Sequence, residues 1–309
     1  MTTTAQNIIE SLLVRIFQYM PLTWVSKLGG WLGARHARKG ILAQRLWVGR
    51  MHANLEKLWH MADPVQREQS IIAQKRHTGQ VYAEIAVLPR LVQAGRLTVS
   101  GLEHIAGLSQ PVIIVSAHLG NWELIGRVAE LLERRVCDIY LPLGDGLRAK
   151  IAHQTRMAWR FEGGVGADLI PATPHALRQV SKSIANGSNV LLFIDEEKEG
   201  YVYAPSLGRT IPYAGNRWFA ARLAVKHSMP ILPVHIEPNG LGAYRAVIEP
   251  LLMPPSNGDA DSRAKSLADE MDGQLERWVR KWPEHWYWLP LLDLDKPLAR
   301  TSQPSHPEK

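Results

Sequence analysis

Pro111-Val112-Ile113-Ile114-Val115-Ser116-Ala117-His118-Leu119-Gly120-Asn121-Trp122-Glu123 is the stretch of this chain that decides its fold. The first half is an unbroken apolar, β-branched run that starts at proline. That is the pattern of a strand buried on both faces of a parallel sheet. Trp122 to Leu132 then reads as a helix, with Leu124, Val128, Leu131 and Leu132 on one side and Asn121 as its cap. His118 therefore falls in the strand-to-helix turn, and Glu123 in the first helical turn. Within one helix, residues five apart sit ~140° apart and do not meet. With the histidine off the helix, Gly120 lets the loop fold back so that Glu123 reaches one imidazole nitrogen. The other nitrogen then faces a cleft beyond the carboxyl end of the strand, where open α/β sheets bind ligands. A histidine held by a carboxylate is the commonest side chain for taking a proton from a hydroxyl near pH 7. The same residues also fit a plainer arrangement. Glu123 is then a helix-start acid interacting with the dipole, and His118 is satisfied by backbone.

Working outward, residues 1–95 read as helical throughout. One segment ends before Asp63-Pro64, and a longer one runs from about Gln66 to Gln93. From Leu97 onward the pattern changes to alternating strands and helices, which implies a mainly parallel sheet flanked by helices. Strands are expected at 111–116, 136–141, 189–194, 230–236 and 243–249. Helices are expected at 121–133, 146–161, 174–186, 215–227 and 260–282. The organisation expected is a helical segment 1–95, an α/β domain 96–295 and a polar tail 296–309.

Asp195-Glu196-Glu197-Lys198-Glu199-Gly200 follows the apolar strand ending at Ile194, so these acids emerge near the same rim as His118. Glu196 and Glu199 read as solvated loop residues, whereas Asp195 directly ends the strand. The loop from Tyr201 to Gly208 is apolar for a surface connection, and it either packs over the cleft or touches lipid. His153, His175, His227, His235 and His285 are isolated and read as ordinary surface or core residues. Trp278, Trp282, Trp286 and Trp288 read as packing for the last helix.

Charge is concentrated at one end. Residues 1–60 hold eight Lys and Arg against Glu10 and Glu56, which is +6 of the formal net charge of +7. Ile8, Ile9, Leu12, Leu13, Ile16, Phe17 and Met20 form a continuous helical stripe there. Trp24, Trp31, Trp47 and Trp59 follow among the basic residues. No run of 18 uncharged apolar residues exists, so a conventional spanning helix is not expected. Stripe, tryptophans and cations together describe a helix lying in an anionic lipid interface. The alternative is an amphipathic helix packed on the protein's own core. Nothing at the amino terminus has the layout of a signal peptide, so a cytoplasmic-side location is the expectation. No zinc-finger or RNA-recognition motif accompanies the basic charge, and no nucleic-acid partner is expected. The single cysteine, Cys137, excludes an intramolecular disulfide and a multi-cysteine zinc site. No zincin motif, Gly-x-Ser-x-Gly elbow or P-loop is present, and neither cofactor nor metal is expected.

Over roughly residues 20–295 the sequence resembles the bacterial lipid A biosynthesis acyltransferases, the late lauroyl/myristoyl transferases and their relatives. Several collinear motifs carry this resemblance. Asn54-Leu55 precedes the acid-Pro turn, and Ser116 to Glu123 matches the His-x4-Glu/Asp core. Arg156 and Arg160, the loop Asp195 to Gly200, Ala221-Arg222-Leu223-Ala224, and Trp282-Pro283-Glu284-His285-Trp286-Tyr287-Trp288-Leu289 complete the order. The resemblance implies a glycerolipid-acyltransferase-like α/β fold at the cytoplasmic face of the inner membrane, peripheral or monotopic. It implies transfer of a fatty acyl chain from acyl carrier protein or acyl-CoA to a hydroxyl of a membrane glycolipid. Carried over by position, His118 is the base and Glu123 its partner, while Asn121, Arg156, Arg160 and Asp195 serve the acceptor or thioester site. Many members have a basic pair just after the final Trp-Leu, where this chain reads Leu289-Pro290-Leu291-Leu292-Asp293. A thioesterase or a non-catalytic membrane-binding relative would share most of these features.

Overall fold

The computed structural model describes residues 15–140, 147–161, 164–173 and 175–296. After a helical stretch over residues 15–19 come α1 (Leu22–Leu42), α2 (Leu46–Trp59), α3 (Pro64–Glu84) and α4 (Leu88–Gln93). Pro64 opens α3 with Asp63 as its cap, the carboxylate accepting from the Val65 N–H at 2.9 Å. The long helix expected to reach Gln93 is interrupted by a 3₁₀ turn over Ile85–Val87. α1 packs along α3 through small residues on its inner face, Ser26, Gly29, Gly30 and Ala34. A β-carbon at Gly29 would collide with the Gly79 carbonyl of α3, so the two backbones approach closely only because glycine stands at both positions.

The sheet has seven strands: β1 (Leu97–Ser100), β2 (Ile113–Ser116), β3 (Val136–Tyr140), β4 (Asp168–Pro171), β5 (Asn189–Phe193), β6 (Ile231–Pro238) and β7 (Tyr244–Ile248). Their spatial order is β1-β7-β6-β2-β5-β3-β4, and every pairing is parallel except the β6–β7 hairpin. The fold is α/β with a mostly parallel sheet flanked by helices. Alternate residues of β2 enter opposite core layers. Ile113 and Val115 pack with α2, α8 (Gly215–His227) and α9 (Ala260–Lys281), whereas Ile114 packs with α4 and α5 (Ile125–Leu131). Truncating Ile113 to alanine would cost about 2–5 kcal/mol. α6 (Leu147–Met157) and α7 (Ala176–Ala185) complete the flanks.

Two boundaries differ from expectation for identifiable reasons. The helix after β2 begins as a 3₁₀ turn over Trp122–Leu124, and only Ile125–Leu131 is α-helical. α6 ends at Met157, which leaves Arg160 outside the helix in a two-residue strand pairing with Gly164–Val165. The apolar loop after Gly200 packs inward, since Val202, Ala204 and Leu207 are buried in the same core layer as α8 and α9.

Most of the expected stripe from Ile8 to Met20 lies outside the described residues. Within the described part, Phe17 is buried in the core while Ile16 and Tyr19 are exposed. The exposed stripe that stands out is on α1. Trp24, Lys27, Trp31, Arg35, Arg38 and Leu42 succeed one another at three- and four-residue intervals along its outer face. Lys27 and Arg35 sit over the rings of Trp24 and Trp31 at 5.9 and 5.5 Å. Among the described residues no helix is long and apolar enough to cross a membrane.

Candidate active site

The turn after β2 is built by its two neighbours. Gly120 takes φ +59°, and the Ile236 carbonyl of β6 occupies the space a β-carbon would need, so this position requires glycine. On the other side the segment after α9 runs antiparallel to the turn. The Tyr287 N–H donates to the His118 carbonyl at 2.9 Å, and the Gly120 N–H donates to the His285 carbonyl at 3.2 Å. Trp286 faces Leu119 in the same pairing. The tryptophans near the end thus do more than pack the last helix.

His118 is held by Asp195, not by Glu123. β5 lies beside β2, with Ser116 opposite Phe193, so Asp195, two residues past the end of β5, comes level with His118, two residues past the end of β2. One oxygen of Asp195 lies 2.8 Å from His118 Nδ1. The other accepts from the His118 backbone N–H at 2.7 Å and from Trp286 Nε1 at 3.1 Å. With all three donors engaged, the fully buried Asp195 carboxylate fixes both the position of the ring and its tautomer. Trp288 Nε1 also lies 3.3 Å from Nδ1. Because Nδ1 gives its proton to the carboxylate, that approach is packing and not a second hydrogen bond. Nε2 has no protein partner among the described residues, and the side chain remains 25% exposed. Phe193, Trp122, Tyr287 and Trp288 surround the ring, with ring centres 4.5–6.2 Å away.

Glu123 turns away into the protein. Its carboxylate accepts from Arg156 Nη2 at 3.1 Å, and Arg156 Nη1 lies 3.3 Å from Asp138 of β3. The 3₁₀ geometry of residues 122–124 directs this side chain toward β3 and α6, where a buried guanidinium needs negative partners. Burial works against the Arg156 charge, but Glu123 and Asp138 hold its pKa above the ordinary value. Burial pushes the Asp138 carboxyl up to about 6, although Arg156 pulls it down. Arg156 is therefore committed within the fold. Arg160 is exposed, and its backbone N–H donates to Glu130 at 2.9 Å.

Asn121 does not cap the helix and is not presented to a ligand. It makes no capping bond and is wholly buried, with Nδ2 donating to Glu84 of α3 at 3.1 Å. Glu84 also accepts from Ser26 Oγ and from the Tyr244 hydroxyl, each at 2.6 Å. Burial pushes the Glu84 carboxyl up, against the pull of these donors.

Glu196, expected in solvent, accepts from the Asn216 N–H at 2.6 Å at the start of α8. Glu199 is exposed, as expected. His285 is not an isolated residue. Its ring lies 4.1 Å from that of His77, and burial pushes the two imidazoles down to about 4 and about 3. Burial pushes the Cys137 thiol up to about 12, which makes it inert. A cavity of about 380 Å³ opens between β6, β7 and α9, lined by His235, Glu237, Glu249 and Lys281. Neither His118 nor Asp195 lines it, so it is separate from the turn that carries His118. Among the described residues no group of three or more His, Cys, Asp or Glu is placed to hold a metal ion.

Sequence reasoning found His118 and Asp195 separately but missed their pairing, which depends on strand order. It missed Glu84 and Asp138, which carry no local signal. Trp286 and Trp288 had one available signal, since alternation along an extended segment puts both on one face.

Comparison with known proteins adds a family. Residues 2–291 match the family model described as bacterial lipid A biosynthesis acyltransferase. Curated sequences yield no significant match. Among solved structures, the chain is similar to the 1-acyl-sn-glycerophosphate acyltransferase PlsC from Thermotoga maritima. Identity is 15%, covering 81% of this chain and 97% of that one, with a TM-score of 0.39.

Proposed function

This chain belongs to the bacterial lipid A biosynthesis acyltransferase family, and on that premise we propose that His118, oriented by Asp195, is the general base for direct acyl transfer. The observation that carries this reading is the 2.8 Å contact between His118 Nδ1 and a fully buried carboxylate, with Nε2 left unpartnered on a partly exposed ring. The donor is a fatty acyl thioester of acyl carrier protein or coenzyme A, and the acceptor is a hydroxyl of a lipid A precursor. Nε2 removes the hydroxyl proton as the oxygen attacks the thioester carbonyl. Asp195 stabilises the imidazolium that forms. The C–S bond then breaks, the imidazolium returns the proton to the leaving thiolate, and ester and thiol are released. The Gly120 N–H is taken by the His285 carbonyl, so the backbone N–H groups of Asn121 and Trp122 are the ones left to hold the oxyanion.

The outer face of α1 seats the protein on the cytoplasmic side of the inner membrane. Exposed tryptophans interleaved with cations suit an anionic interface, and no acidic residue lies between Arg15 and Leu55 to oppose them.

Purified protein given acyl carrier thioester and vesicles containing a lipid A precursor should yield acylated lipid. His118→Ala should lower the rate about 10²–10⁴-fold with the melting temperature unchanged. Release of free fatty acid regardless of acceptor would make the protein a thioesterase. Full activity of the alanine variant would remove His118 from the reaction. Trp24→Ala/Trp31→Ala should weaken flotation with anionic vesicles, and wild-type binding should fall as salt screens the cations. Equal flotation of the two proteins would exclude this face from the membrane contact.

A further inference from the structure

We infer that Glu84 is a positioning residue, holding the turn that carries His118 through Asn121 and tying that turn to α1 through Ser26. This rests on the assignment of His118 as the base.

Glu84 is fully buried, and among the described residues no cation lies within ion-pairing distance of it. A lone buried carboxylate is unfavourable, and an apolar side chain there would normally pack at no such cost. Three donors from three separate elements meet it instead: Ser26 from α1, Asn121 from the turn and Tyr244 from β7. Gln80, one helical turn back on α3, donates to the Tyr244 hydroxyl at 2.9 Å and fixes that donor in turn. A network with one shared acceptor couples the positions of everything that donates to it.

The turn needs such a tie on this side. Asn121 has φ −92° and ψ 82°, outside both helix and strand geometry. The segment 285–287 and Asp195 fix the half of the turn from His118 to Gly120. The bond to Glu84 fixes the half that follows, and the other amide atom, Asn121 Oδ1, is buried without a partner among the described residues. Ser26 stands on the inner side of α1, opposite the face of Trp24, Lys27 and Trp31. A displacement of α1 on seating against lipid is thus transmitted to the turn through one carboxylate.

The test uses the full chain on vesicles, with kcat and KM read separately and every variant melted. Asn121→Asp puts two carboxylates into one buried site without a cation. It should lower kcat about 10²-fold, as a small misplacement of the base does, with KM little changed. Glu84→Gln/Asn121→Asp restores one carboxylate and one amide and should recover most of that loss. This double variant also answers the objection that Asn121→Asp merely unfolds the chain. Ser26→Ala removes one donor and should lower kcat about fivefold, the worth of a single buried hydrogen bond, and blunt stimulation by anionic vesicles. Wild-type kcat in folded Asn121→Asp, or a double variant no better than the single, would overturn the proposal. His118→Ala is run beside them. If it is active, the assignment of the base fails; if it is dead while Asn121→Asp is fully active, only the positioning role fails.

Discussion

Asp195 and Glu123 are both buried carboxylates beside the same turn, yet Asp195 holds an imidazole and Glu123 a guanidinium. Asp195 pairs with an imidazole ring that keeps one nitrogen toward the open side. Glu123 shares with Asp138 a cation that never titrates in this range, in a place with little water. Proximity to the histidine in sequence therefore does not mark the carboxylate proposed to act with it. What marks it is the partner it binds and whether that partner still faces solvent.

The sharpest way to break this contrast is at Asp195. Asp195→Asn should lower kcat about 10²–10⁴-fold, because an amide no longer fixes the tautomer or stabilises the imidazolium. Added to His118→Ala it should cost little further, since the two act as a unit. Steady-state rates on one donor and acceptor decide it, and losses that multiply would separate the pair.

The opposite signature is expected in the second cluster. Arg156→Ala leaves Glu123 and Asp138 buried without their cation and should cost about 3–5 kcal/mol of stability. Glu123→Ala should likewise act mainly on stability. Denaturation and activity per folded molecule, measured together, separate the two effects. A well-folded Glu123→Ala protein with no activity would return Glu123 to the reacting pair.

The same cluster has a pH signature. In the unfolded chain Asp138 loses its proton near pH 4, but in the fold only near 6 because of burial. Between those values the folded state binds the extra proton, so its contribution is fully present below about pH 4 and is lost as pH rises through 6. Melting curves of wild type and Asp138→Asn across pH 4–7 should show this contribution only in the wild type. Identical pH dependence in the two proteins would exclude it.

The smallest effects belong to charges outside both clusters. Arg160→Ala and Glu199→Gln remove exposed side chains and should each stay within ~0.5 kcal/mol in stability and transition-state free energy. A large loss of kcat/KM at Arg160 would reveal a substrate contact that the free protein does not display.

The division between what was legible and what was not follows particular residues. The run from Val112 to Ser116 announced a central parallel strand because its apolar residues do not alternate, and β2 is buried on both faces. The end of that strand announced the place of the site. The hairpin of β6 and β7 and the strands at 189 and 136 were likewise visible as apolar runs. β4 was not, since Asp168–Pro171 is short, mixed in character and a sheet edge. The helix after the turn was read one turn too long, because 3₁₀ and α patterns differ little over three residues.

The sequence by itself determined the α/β layering, the mostly parallel sheet, the position of His118 beyond a strand and the crowding of cations near the amino terminus. These depend on local periodicity and composition, which each segment carries alone. Only the tertiary structure decided which carboxylate meets His118. β5 enters the sheet beside β2, although 77 residues separate Asp195 from His118. It also decided that Arg156 is enclosed, that Asn121 rests on Glu84, and that α1 turns its tryptophans outward. Each of these is a contact between elements distant in sequence, set by strand order and by which helix faces the core.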